Sequence, residues 1–333
     1  MTGTLKIAIA GAGAISAFHL AGWRAQNDIS LVGICDPDLA RAQARATEYG
    51  IPMVFQDMAD MLDKTKPDAV DIITPVGTHS DLVRQAAARG VHVKCQKPMT
   101  PTVAEAERLI ADLGESVRFM VHENYRFRPH YAEIAHRVQA GEIGQLRHAR
   151  LTVRASALNA YPGQVPFLLN RQPYLAQFPR LLVFEVLIHH LDALRAILGE
   201  MTVMAVHLDR LNPDLQGEDV ALITLRAHSG ALVQIDANIS ALGYPDLPTD
   251  RLELVGTQDT LVYDRDRIAL LSQPENLSLH DLSANYQACF TGAICEFVEG
   301  LRHARPFATD RLDNLKTLRL MESIYHMAGV SVG

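Results

Sequence analysis

Several short stretches carry residue types that can do chemistry. In Glu185-Val186-Leu187-Ile188-His189-His190-Leu191-Asp192, positions 185, 189 and 192 are spaced i, i+4, i+7. On an α-helix that spacing puts carboxylate, imidazole and carboxylate on one face. His189 can then take a proton from a hydroxyl while a neighbouring acid holds its tautomer and stabilises the imidazolium. The plain alternative is a solvated stripe on a helix otherwise filled by Phe184, Val186, Leu187, Leu191, Leu194 and Ile197. His190 points about 100° away around such a helix and reads as a packing or supporting residue. In Val93-Lys94-Cys95-Gln96-Lys97-Pro98, Lys97 closes an apolar run. A desolvated lysine there can donate or accept a proton near neutral pH; a surface lysine in a turn is the alternative. A Zn²⁺ site needs convergent ligands. Adjacent His189 and His190 diverge and no cysteine joins them, so no metal is expected.

The residues that hold a cofactor lie earlier. Leu5–Ala10 is an apolar run that feeds Gly11-Ala12-Gly13-Ala14-Ile15-Ser16, a helix pattern follows, and a second apolar run ends at Ile34-Cys35-Asp36. That is the order of a dinucleotide site. Gly11 permits the tight turn, and Gly13 lets backbone approach a pyrophosphate. The helix N-terminus at Ala14 and Ile15 offers unpaired N–H groups to the anion. Asp36 can accept hydrogen bonds from both ribose hydroxyls. Asp36 followed by Pro37-Asp38 repels a 2′-phosphate, and no arginine follows at once, so NAD is expected rather than NADP. The third glycine of the pattern is replaced by Ser16. Thr74, Pro75 and His79 follow the fourth strand in a carboxyl-end loop suited to lining the cofactor cleft. Asn124 in His122-Glu123-Asn124-Tyr125-Arg126-Phe127-Arg128-Pro129 can face the nicotinamide or a substrate hydroxyl, and Arg126 serves either a ligand or an ion pair. His19, just past the glycine turn, reads as a packing residue.

These residues need a scaffold, and the pattern supplies one. Residues 1–122 alternate short apolar runs with helix patterns, which predicts a parallel sheet covered on both faces. After residue 123 come a helix at 131–140, a strand at 147–154, and a long segment at 155–180 holding Tyr161, Arg171 and Tyr174. A segment of that length inside a compact domain is usually functional. A helix at 184–198 follows, then strand-like runs without intervening helices, and two closing helices near 288–303 and 312–327. The expected architecture is α/β: an N-terminal doubly wound Rossmann domain (1–122), then an α/β domain with an open, mostly antiparallel sheet (123–333).

Bulk numbers exclude several classes. The 333 residues are 48% hydrophobic and 21% charged, an ordinary globular composition. A net charge of −7 argues against a nucleic-acid partner. The four cysteines show no metal spacing and suggest buried thiols in a reducing cytoplasm. Gly11 interrupts the only early apolar run, so neither a secretory leader nor a membrane span is expected. No Gly-x-Ser-x-Gly elbow is present, which disfavours serine hydrolase chemistry.

Taken together, the glycine turn, Thr74-Pro75 with His79, Gln96-Lys97-Pro98, Asn124-Tyr125-Arg126-Phe127 and the His189…Asp192 helix resemble the glucose–fructose oxidoreductase / inositol 2-dehydrogenase / rhizopine catabolism (Gfo/Idh/MocA) family. Gly217-Glu218-Asp219-Val220 and Arg251–Thr257 extend the likeness over nearly the whole chain. The resemblance implies an NAD(P)-dependent oxidoreductase of a sugar or polyol, assembled as a homodimer or homotetramer through the open sheet. It implies that Lys97 is the catalytic lysine and that Glu185 and His189 form the acid–histidine pair. Tyr161, Arg171 and Tyr174 are candidate sugar contacts beside Asn124 and Asp192. The 184–192 phrase after a proline-rich loop is similar to aldose-oxidising members that yield a lactone. An NAD-dependent glycoside hydrolase and a non-catalytic sugar or nucleotide sensor are the alternatives within the same fold. Two departures stand out: Gln96 replaces the usual Glu of Glu-Lys-Pro, and Glu185 replaces the usual Asp.

Overall fold

A computed structural model describes residues 3–159 and 163–332. The chain divides into two compact units, Met1–Arg128 with Ser283–Leu318 and Pro129–Leu282 with Arg319–Gly333.

The first unit alternates β1 (Leu5–Ala10), α1 (Ser16–Arg24), β2 (Ile29–Cys35), α2 (Leu39–Tyr49), β3 (Val54–Phe55), α3 (Met58–Thr65), β4 (Ala69–Ile72), α4 (His79–Ala87), β5 (His92–Gln96), α5 (Val103–Asp112) and β6 (Phe119–His122). Local chemistry sets the helix ends. Asp38 caps α2 through the amides of Ala40 and Arg41, and Gly50 closes it in the left-handed region. Thr102 accepts from the Glu105 amide to start α5. The strands are all parallel, in the order β3-β2-β1-β4-β5-β6. This is the doubly wound dinucleotide-binding order, and its switch point lies between β1 and β4. Ligands of such sheets bind beyond the carboxyl ends of the strands at that point.

The second unit starts with α6 (Pro129–Gln139) and β7 (Leu146–Arg154). The long segment at 155–180 is partly helical, with α7 at Phe167–Arg171 and a 3₁₀ turn at Pro173–Gln177. The expected continuous helix at 184–198 is instead a wide π turn at Leu182–Leu187 followed by α8 (Ile188–Leu198). Strands β8 (Met201–Asp209), β9 (Val220–Ala227), β10 (Leu232–Asn238), β11 (Thr249–Gly256), β12 (Thr260–Asp264), β13 (Arg267–Leu270) and β14 (Gln273–Leu279) complete a sheet ordered β14-β13-β12-β11-β7-β10-β9-β8. Only β7 and β10 pair in parallel. One face is buried through Leu151, Val153, Ile223, Leu225, Val233, Ile235, Leu252 and Leu254. The alternate positions, Arg150, Thr152, Leu222, Arg226 and Arg251 among them, are half-buried or exposed. That is the two-faced pattern of an open antiparallel sheet.

The chain then returns to the first unit through most of α9 (Leu282–His303), and α10 (Arg311–Met327) follows. Ala293, Ile294, Phe297, Val298, Leu301 and Phe307 share a core cluster with Ile7, Ile9, Leu20, Trp23 and Ile34. Gly22 makes the approach possible: a Cβ there would lie 2.6 Å from Ile294 Cδ1. The expected single boundary at 122–123 therefore differs from the contacts, which give the first unit a second segment from near the chain's end. No helix of the described residues is long and apolar enough to cross a membrane.

Candidate active site

In the first unit the glycine turn is fixed from both sides. Gly11 has φ +105°, and a Cβ on it would fall 2.5 Å from the Ile73 carbonyl oxygen, so glycine is required there. A Cβ on Gly13 would meet nothing within 4 Å. Its missing side chain keeps open the space a pyrophosphate needs. Ser16, where a third glycine is usual, is buried and donates its hydroxyl to the Gly13 carbonyl at 2.6 Å. The serine ties the turn to the first residue of α1. Asp36 is 7% exposed; one oxygen accepts the Ala12 amide at 2.8 Å and the other the Asp38 amide at 2.9 Å. The carboxylate thus clamps the end of β2 to the turn. A pocket beside it is lined by Ala12, Gly13, Ala14, Arg41, Ala44 and Arg45. Arg41 reaches Asp36 at 3.7 Å, a contact its position five residues downstream conceals.

Beyond β4, His79 is fully buried, with its ring nitrogens 2.8 Å from the Thr74 carbonyl and 2.9 Å from the Pro98 carbonyl. Burial holds its pKa below the usual imidazole value, against the pull of those carbonyls. Read from sequence, His79 lines the cleft; in the structure its ring lies between the carbonyls of two carboxyl-end loops, and as a neutral imidazole it donates to one of them. The Thr74 hydroxyl is engaged by Thr78 at 2.7 Å. Lys97, half-buried, follows β5, and its backbone N–H donates to Gln96 Oε1 at 2.7 Å.

The ladder pairs Gln96 with His122, so Lys97 and Glu123 follow adjacent strands. Glu123 is fully buried, 3.5 Å from Asn314 Nδ2. Burial pushes its carboxyl up to about 7, while the charges of Lys97 and Arg126 oppose the rise. Nothing in the sequence pattern marks Glu123 beyond its place at a strand end. Asn124 donates to Cys289 Sγ at 3.3 Å, and its buried Oδ1 has no hydrogen-bond partner among the described residues. A buried acceptor left open at a carboxyl end is what a ligand amide or hydroxyl would satisfy. Arg126 settles as a structural ion pair with Asp313 at 2.9 Å.

In the second unit, His189 and Asp192 lie on α8, where i, i+3 spacing keeps them on one side. Asp192 is buried and His189 half-buried. Glu185, half-buried, belongs to the π turn, so the i, i+4 register expected of an α-helix does not hold between it and His189. Single wide turns of this kind are frequent at functional sites. Glu218 holds the turn's start: its carboxylate accepts from the Leu181 and Val183 amides at 3.2 and 3.0 Å and from the Tyr325 hydroxyl at 2.7 Å. His190 contacts the Val186 carbonyl and Asp250, as a supporting residue would. Arg171 and Tyr174 are exposed on their short helical turns, and Tyr161 lies outside the described residues.

Residues 5–123 match the family model for Gfo/Idh/MocA oxidoreductases with an NAD-binding Rossmann fold, and residues 131–262 match a C-terminal domain of the same family. The chain belongs to the Gfo/Idh/MocA family. Its relatives include D-apiose dehydrogenase of Paraburkholderia graminis, 33% identical over 96% of this chain and 86% of that protein. D-apiose dehydrogenase of Rhizobium rhizogenes is 29% identical over 97% and 95% of the two chains. A crystal structure of an Agrobacterium radiobacter oxidoreductase in complex with NAD⁺, L-tartaric acid and magnesium superposes with a TM-score of 0.88. It is 28% identical and covers 98% of this chain and 96% of that one.

Proposed function

We propose that this Gfo/Idh/MocA protein is an NAD-dependent dehydrogenase that oxidises the anomeric hydroxyl of an aldose to a lactone, with D-apiose as the specific substrate. The observation that carries the reading is one unit holding both an Asp36-clamped glycine turn and Lys97 at the exit of β5. The likeness to D-apiose dehydrogenases over nearly the full chain supports the sugar. Bound at the glycine turn, NAD would supply the acceptor for the hydride of the anomeric carbon. Gly11, Gly13, Ala14, Ile15 and Asp36 would hold its pyrophosphate and ribose, a role the open space at Gly13 fits, and Asn124 Oδ1, without a partner among the described residues, would accept from the nicotinamide amide or a sugar hydroxyl. Thr74, Pro75 and Gln96 border the same side of the sheet. An imidazole is the side chain suited to take a proton near neutral pH, and an ammonium can only donate hydrogen bonds. His189 therefore receives the hydroxyl proton, and Lys97 donates to that oxygen as it becomes a carbonyl. Glu185 and Asp192 orient the imidazole and bind sugar hydroxyls, with Tyr161, Arg171 and Tyr174 as further sugar contacts. The balanced reaction is aldose plus NAD⁺ to lactone, NADH and one proton.

The test is a panel of free aldoses and cyclitols with NAD or NADP, followed by nicotinamide absorbance. NADH should accumulate with D-apiose and NAD. Release of sugar from a glycoside without net NADH would instead support the hydrolase reading. Binding of sugar or nucleotide without turnover would support a sensor. We further propose a cytoplasmic homo-oligomer joined through the open sheet, to be checked by light scattering after size exclusion.

A further inference from the structure

The first unit buries ionisable groups that the proposed reaction does not use. Asp71 on β4, Lys94 on β5 and His19 on α1 are each 0% exposed. Three groups converge on the Asp71 carboxylate: Trp23 Nε1 at 2.7 Å, His19 Nδ1 at 2.8 Å, and Lys94 Nζ at 3.3 Å. Burial alone would raise the acid, but Lys94, His19 and Trp23 more than offset it and hold Asp71 at about 2.

Such a carboxylate has no proton to give, so the proton in the His19–Asp71 bond belongs to Nδ1. Lys94 already balances the one buried negative charge. Burial first, and the Lys94 charge with it, hold His19 below its usual pKa and therefore neutral. Its Nε2 is left as an acceptor. Gln96 Nε2 sits 3.1 Å from it, and the amide nitrogen donates. That orientation turns Gln96 Oε1 onto the Lys97 backbone N–H at 2.7 Å. Lys94 Nζ also lies 3.3 Å from His19 Nδ1, and in this tautomer both donors are directed to the Asp71 carboxylate they share. The other neighbours of His19 are His122 on β6, with ring centroids 4.3 Å apart, and Phe290 on α9 at 5.3 Å.

We propose that His19 is a positioning residue: locked as the Nδ1–H tautomer by Asp71, it accepts an amide at position 96 and disfavours a carboxylate. Through that amide it fixes the backbone from which Lys97 is presented. The consequence for turnover rests on the role proposed for Lys97; the tautomer and the choice at 96 do not. A carboxylate at 96 would face the Nε2 lone pair with no proton between them. The pair is restored only when one more proton binds, on His19 or on the carboxylate.

The test uses the full chain with ¹⁵N-labelled histidine. In the wild type, long-range ¹H–¹⁵N spectra should show His19 as the Nδ1–H tautomer from about pH 6.5 to about pH 9. In Gln96→Glu, the His19 signals should titrate within that range. The ratio of variant to wild-type kcat should fall roughly tenfold or more between those limits. Affinity for NADH, read by fluorescence titration, should change far less. A wild-type His19 protonated on Nε2 overturns the proposal, and so does a Gln96→Glu enzyme with the wild-type pH profile and unchanged His19 signals. The wild-type spectrum decides even if the variant does not fold. Full turnover in Lys97→Met with the His19 signals as expected would remove the role given to Lys97 and leave the tautomer lock standing.

Discussion

At the scale of single residues, Lys97, His189 and Glu123 yield the sharpest expectations. Lys97→Met should bind NADH normally and lose roughly 100-fold or more in kcat, as expected for a positioned proton-handling group. His189→Gln should lose a similar factor. If the two act on one hydroxyl in one step, the double variant should be little worse than either alone, because residues acting as a unit are strongly non-additive. Glu123 makes a pH prediction. Its folded-state value of about 7 lies above the ordinary carboxyl value. Between the two values the folded chain binds more protons than the unfolded one, so stability falls as pH rises through that window. The loss is at most roughly 3 kcal/mol. Glu123→Gln should flatten the dependence between about pH 4.5 and about pH 7, read by urea unfolding across that range. A Glu123→Gln protein with the wild-type slope would show that the buried carboxyl does not titrate there.

At the scale of elements, the π turn at Leu182–Leu187 and α8 carry Glu185, His189 and Asp192 together. Their entry depends on Glu218, which lies in the loop just before β9. Glu218→Ala leaves two buried amides and a tyrosine hydroxyl without their acceptor and should cost about 2–4 kcal/mol in denaturant unfolding. Glu218→Gln keeps one acceptor oxygen and should cost less. Most elements of both units were legible from apolar periodicity and from caps such as Asp38 and Gly50. The π turn was not, because 3.6-residue periodicity cannot register one wide turn. Nor was β14, whose Gln273-Pro274-Glu275-Asn276 start is polar, exposed and at a sheet edge. Of the candidate site residues, the glycine turn, Lys97 and His189 were visible as types and spacings. The two carbonyl partners of His79 were not legible, because they are brought by different loops. Asp71 and Lys94 sat in plain view as ionisable residues inside apolar strands, but their shared partner His19 emerges only when β4, β5 and α1 pack.

At the scale of the whole molecule, the first unit takes Ser283–Leu318 from beyond the Pro129–Leu282 segment of the second unit. A fragment ending at residue 128 would lack Ile294, Phe297, Leu301 and Phe307 and leave Trp23 and Ile7 without them. It should melt without a cooperative transition in circular dichroism, whereas the full chain should show one. That arrangement also sets a timetable. The glycine turn and the residues around Lys97 leave the ribosome first, yet the apolar wall behind α1 arrives only after Pro129–Leu282 has been made. The nascent nucleotide-binding half must wait through synthesis of that intervening segment, with its unfinished surface open to chaperones, before it can close.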